Sequence, residues 1–110
     1  MKQYVIDDLR PGDFEKIKAY MDLNHVHSAV ENLYWIELER EILTEVQAAH
    51  TRCQPFYVAV DVGPERLGCE LLVRTKHRMR CDCMDYATVK QRNWLIDLID
   101  AMIAEIGLKT

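Results

Sequence analysis

Hydrophobic and polar positions follow two periods along this chain, and Gly, Pro or capping residues mark the changes from one to the other. Gln3 to Leu9 is short and β-branched and ends at Arg10-Pro11-Gly12, which predicts a first strand. Asp13 then stands where an N-cap belongs. Phe14, Ile17, Tyr20 and Met21 recur at helical spacing, with Glu15, Lys16 and Asp22 opposite, so a helix should run to about Asn24-His25.

The middle of the chain carries conflicting signals. Ser28…Glu31 has the form of a capping box and would open a long helix through Leu33, Ile42 and Val46. Against it, Leu33-Tyr-Trp-Ile36 is a β-type cluster, and Ile36-Glu-Leu-Glu39 alternates like a half-buried strand. A second capping box, Thr44…Gln47, suggests a fresh start. A strand over 33–39 and a short helix over 44–51 are the preferred reading, with one long helix as the alternative.

From Cys53-Gln-Pro55 onward the pattern is cleaner. Phe56 to Val62 reads as a strand, Gly63-Pro64-Glu65-Arg66 as a turn, Leu67 to Thr75 as a second strand and Met79 to Tyr86 as a third. Thr88…Gln91 is a third capping box, and Leu95, Ile96, Leu98, Ile99, Met102, Ile103 and Ile106 give the last helix a wide apolar face before Gly107. The expected fold is α+β. It is a two-layer sandwich in which an antiparallel sheet of three to five strands, with a meander at 56–86, is covered by helices including the long C-terminal one.

Composition changes this picture little. A chain of 110 residues, 49% hydrophobic and 29% charged, is one domain, 1–110, with enough core to fold without staples. The net charge of −4 argues against a general nucleic-acid binder. Its distribution is uneven, however: Arg74 to Arg80 holds Arg74, Lys76, His77, Arg78 and Arg80 with no acid. That basic hairpin is the candidate surface for a phosphate ligand, a nucleic acid or an acidic protein partner, and a solvated tip that discourages edge pairing is the ordinary alternative. The first residues lack an apolar signal core, and no apolar run approaches membrane-spanning length. A soluble, cytoplasmic protein without a membrane partner is therefore expected, with its four cysteines as thiols.

Those cysteines carry the sharpest question. If Met79 to Tyr86 is a regular strand, Cys81 and Cys83 share a face and Cys69 on the preceding strand lies opposite, three small hydrophobes beneath the last helix. A thiolate metal site, with zinc as the ion, would draw on Cys69, Cys81 and Cys83 plus a fourth ligand from the H-x-x-C pair His50 and Cys53, or from His77. Two points oppose it: the chain has no C-x-x-C knuckle, and thiols two residues apart on a strand are about 7 Å apart. No cofactor is the preferred expectation. His25-Val-His27 has the H-x-H form of some metal hydrolases, but a chain this short cannot supply their other ligands.

Arg92 falls on the apolar side of the last helix, so an ion pair with Asp82 or Asp85, or an anion site under the helix start, is expected. Asp97 and Asp100 lie on its polar face, expected to be solvated. No phosphate-binding glycine loop, nucleophile elbow or H-E-x-x-H motif occurs. The reading is a small non-catalytic interaction or ligand-binding module, expected to pair as a homodimer through an uncovered sheet face or edge bearing Tyr34, Trp35 and Tyr57. The basic-hairpin binder and the thiolate metal protein are its alternatives.

Overall fold

A computed structural model describes residues 2–75 and 81–108. The elements run β1 (Gln3–Ile6), α1 (Asp13–Asn24), β2 (Val26–His27), β3 (Leu33–Glu37), a 3-10 turn (Arg40–Ile42), α2 (Glu45–Ala49), a second 3-10 turn (Thr51–Cys53), β4 (Phe56–Val62), β5 (Leu67–Glu70), β6 (Leu72–Thr75), β7 (Asp85–Tyr86) and α3 (Val89–Glu105). All strand pairs are antiparallel, in the order β1-β5-β4-β3-β2, with β6 also on β4 and β7 on β6. The α+β class is as expected; among the described residues the sheet has seven short strands, because 67–75 splits in two and Val26–His27, expected as loop, adds an edge strand.

Alternation along β4 sends Phe56, Val58, Val60 and Val62 to the helix-covered face, where they join Tyr34 and Ile36 of β3. Ile17 and Met21 of α1, and Leu95, Ile99, Met102 and Ile103 of α3, close over them. Two hydroxyls tie the layers together: Tyr4 donates to Asp100, and Tyr34 donates to Asp22 while accepting from Lys18. Asp100 is thus a partner of the sheet. Tyr34 is buried on the covered face, so of the three aromatics Trp35 and Tyr57, edge to face at 6.2 Å, lie on the opposite one, where Tyr57 is itself buried. Adjacent strand residues cannot share a face, and for that reason the expected aromatic trio divides.

In the middle of the chain the preferred reading holds: β3 and α2 form, and the alternative of one long helix does not. The Ser28…Glu31 box does not form: Ser28 Oγ instead accepts from the Val30 N–H and donates to the Val30 carbonyl, closing a local turn. Asp13 is the first helical residue, not the cap; Gly12 caps in the left-handed region at φ 93°, and Asp13 accepts from the Arg10 N–H.

The expected strand 67–75 breaks at Leu71. Val60 faces Cys69 but Phe56 faces Thr75, four steps on β4 against six on β5–β6. Leu71 donates its N–H to the Lys2 carbonyl and accepts from the Ala87 N–H, so the strand exchanges β1 for β7 as neighbour there. Cys81 to Met84 is a turn closed by the Met84 N–H on the Cys81 carbonyl at 3.0 Å, not the regular strand the alternation suggested. Among the described residues no helix is long and apolar enough to cross a membrane.

Candidate metal centre

Two turns meet at one end of the sheet. The first follows α2, whose N-terminus is fixed by a complete capping box: Gln47 N–H donates to Thr44 Oγ1, and Thr44 N–H to Gln47 Oε1. Its end passes directly into the 3-10 turn Thr51–Cys53, where the Cys53 N–H donates to the His50 carbonyl at 3.0 Å. That single turn puts His50 and Cys53 on one side. The second turn carries Cys81 and Cys83, and its curvature does what a strand could not: it turns both sulfurs toward the first.

One potential ligand atom from each of His50, Cys53, Cys81 and Cys83 lies within 4.8 Å of all the others. Cys53 and Cys81 Sγ are 3.8 Å apart, and His50 Nδ1 is 3.1 Å from Cys81 Sγ. In a tetrahedron with Zn–S bonds of about 2.3 Å the sulfur–sulfur edge is about 3.8 Å. The span fits a single ion; an iron–sulfur cluster would have to place several iron and sulfide atoms between the thiolates. Cys53 and Cys83 are buried, His50 and Cys81 half-buried.

The carbonyls of the two buried cysteines are held by buried side chains. Thr75 Oγ1 donates to the Cys53 carbonyl, and Gln47 Nε2 to the Cys83 carbonyl at 3.0 Å. Gln47 Oε1 in turn accepts from Gln91 Nε2 at 2.8 Å, and Gln91 also donates to the Ile42 carbonyl. Gln91 belongs to the second complete capping box, with Thr88, at the start of α3. Such outer contacts fix the orientation of a ligand set.

The thiols are electrostatically unequal. Cys81 is lowered to about 6, chiefly by a hydrogen bond from the Cys83 backbone and then by the Cys83, His50 and Cys53 side chains, against the opposing effect of burial. Burial pushes Cys83 up to about 12, and the neighbouring thiols add to it.

Cys69 lies apart from this group. It sits in β5 opposite Tyr4 on one side and Val60 on the other, fully buried, and desolvation alone pushes its thiol up to about 12. The sequence placed it opposite Cys83; the break at Leu71 and the turn at Cys81 remove that register. Arg92 is exposed and donates to Asn93 Oδ1 at 3.4 Å instead of pairing with Asp82 or Asp85. Arg74 pairs with Glu70 at 3.0 Å, so its charge is partly met, while Lys76, His77, Arg78 and Arg80 lie outside the described residues. His27 stacks on Tyr34 at 4.7 Å and His25 is held by the Met21 carbonyl through its N–H; among the described residues neither joins a ligand group.

A hollow of about 360 Å³ opens over the centre, lined by Ala49, His50, Thr51, Arg52, Cys53 and Cys81. A larger one of about 700 Å³ lies across the same turn, with Glu37 and Arg40 as its charged lining residues. It gathers no comparable set of ligands. The sequence named the four residues that converge here together with Cys69, which lies apart, but did not point to Thr75, Gln47 and Gln91 as their supports; for the two glutamines the T-x-x-Q boxes were the signal. No family model, curated protein or solved structure matches the chain.

Proposed function

We propose that the chain is a non-catalytic zinc-binding domain in which His50, Cys53, Cys81 and Cys83 hold one Zn²⁺ that clamps two turns at the end of an α+β sandwich. The observation that carries this reading is the convergence of the four ligand atoms within 4.8 Å, from segments 28 residues or more apart between Cys53 and Cys81. Three thiolates and one imidazole are a zinc donor set, and four protein ligands complete a tetrahedral shell. A complete shell leaves no position for an activated water, which favours a structural over a catalytic role.

The test is metal content together with cobalt substitution. Protein purified under reducing conditions should carry one zinc per chain, and the Co²⁺ form should give the intense thiolate-to-metal absorption of a tetrahedral site. Cys83→Ser should abolish stoichiometric binding, while Cys69→Ala should retain it. Protein that neither contains zinc nor takes up Co²⁺ rules the reading out.

A further inference from the structure

We infer that Cys53 and Cys81 are an oxidation-sensitive pair, and that their conversion to a disulfide by a hydroperoxide releases the metal. The inference rests on the zinc reading above and adds to it how the site is regulated. Their sulfurs are 3.8 Å apart. A disulfide needs about 2.05 Å, so an approach of under about 2 Å converts the pair. Access is one-sided. The hollow over the centre is lined by Cys53 and Cys81 but not by Cys83, which is 1% exposed and whose carbonyl is fixed by Gln47. Cys81, the half-buried member, is the thiolate a small oxidant meets first, and Cys53 is the adjacent resolving thiolate.

The chemistry balances with hydrogen peroxide as the oxidant. The Cys81 thiolate attacks one peroxide oxygen and the O–O bond breaks, leaving Cys81 as a sulfenic acid and releasing hydroxide, which takes a proton to become water. The Cys53 thiolate then attacks Cys81 Sγ, forms the S–S bond and expels a second hydroxide, also protonated to water. Two electrons pass from the two sulfurs to one peroxide. The ion is left with His50 and Cys83, two protein ligands where four are needed, and dissociates. A dithiol such as dithiothreitol returns two electrons, breaks the S–S bond and restores the site.

The experiment uses the zinc-loaded wild-type protein with a chromogenic zinc chelator in solution. Peroxide is added in steps, and each sample is alkylated and digested without reduction for mass spectrometry. The expected result is release of one zinc per chain in step with a Cys53–Cys81 disulfide, Cys69 remaining a thiol throughout. Dithiothreitol with added zinc should then reverse both changes. Zinc retained at peroxide concentrations that oxidise a free thiol overturns the inference, as does release accompanied by a Cys81–Cys83 disulfide or by sulfinic acid. Zinc absent before any peroxide is added is the separate failure of the zinc reading, and the switch falls with it.

Discussion

The two ends of this molecule hold together by different means. The strand-rich half, with α1 and α3 packed on β1, β5, β4 and β3, is an apolar core in which Ile17, Val60, Leu67 and Ile99 are fully buried. The end built from residues 38–55 and 81–91 has two single 3-10 turns, a five-residue helix and a two-residue strand. Elements this short place few side chains in the core, Leu38, Ile42, Cys53 and Cys83 among them. Side-chain bonds to carbonyls, two capping boxes and, in the proposed reading, a metal add to that contact. The difference shows how short elements at the rim of a hydrophobic core can be held by more than buried area.

Removing the metal should separate the two halves most strongly. At free zinc a thousandfold above the dissociation constant, binding stabilises the native state by about 4 kcal/mol. Chelation should lower the melting temperature correspondingly, and hydrogen exchange should locate the loss at residues 44–55 and 81–91, not in β4. Equal loss of protection across the sheet would mean that the ends are not distinct.

Ile99→Ala should cost about 3 kcal/mol through the cavity it leaves. Denaturant melts should show nearly the same penalty with and without zinc. A penalty that vanishes in the zinc-free protein would place Ile99 in the metal-held unit instead of the core.

Gln91→Ala removes the cap acceptor of α3, the donor to the Ile42 carbonyl and the bond to Gln47 in one change. Leaving such buried groups unpaired should cost about 2 kcal/mol. It should also weaken zinc affinity, measured by competition with a chelator; an unchanged affinity would uncouple the helix start from the centre.

The smallest effect belongs to the sheet–helix contact. Tyr4 donates to Asp100 and its phenol is raised to about 12, first by burial and then by that bond. A phenol whose folded pKa exceeds its unfolded value near 10 stabilises fully below pH 10, and the contribution is lost as pH rises to about 12. Tyr4→Phe should cost about 1 kcal/mol at neutral pH and flatten the alkaline limb of the stability profile. An unaltered limb would show that another group governs it.

Legibility in the sequence followed the same division. Where apolar periodicity sets structure, the residues declared themselves: β4 and the core face of α3 stand where the pattern put them. Both T-x-x-Q boxes were readable because they are local. The candidate centre was legible as an inventory but not as a geometry. His50, Cys53, Cys81 and Cys83 could be named, yet the alternation from Met79 to Tyr86 read as a strand, which would have held the two sulfurs apart. Only the turn closed by Met84 on Cys81 joins them, and nothing in a period of two announces it. Cys69 was misplaced for a related reason, since the slip at Leu71 changes which strand lies beside it. Ser28…Glu31 fits a cap motif whose outcome was decided by the β pairing of the residues that follow.

The buried amides of Gln47 and Gln91 have one further consequence, which concerns spelling. At the third position of an isolated helix, glutamate and glutamine are interchangeable letters, because either offers an oxygen to the cap. Here each residue must speak in both directions. Gln47 Oε1 receives from Thr44 and Gln91 while its nitrogen addresses Cys83; Gln91 hears Thr88 and answers Ile42 and Gln47. A carboxylate would be mute on the nitrogen side and would set two acceptors against each other. A choice that local grammar leaves open is thus settled by residues 36 and 44 positions away.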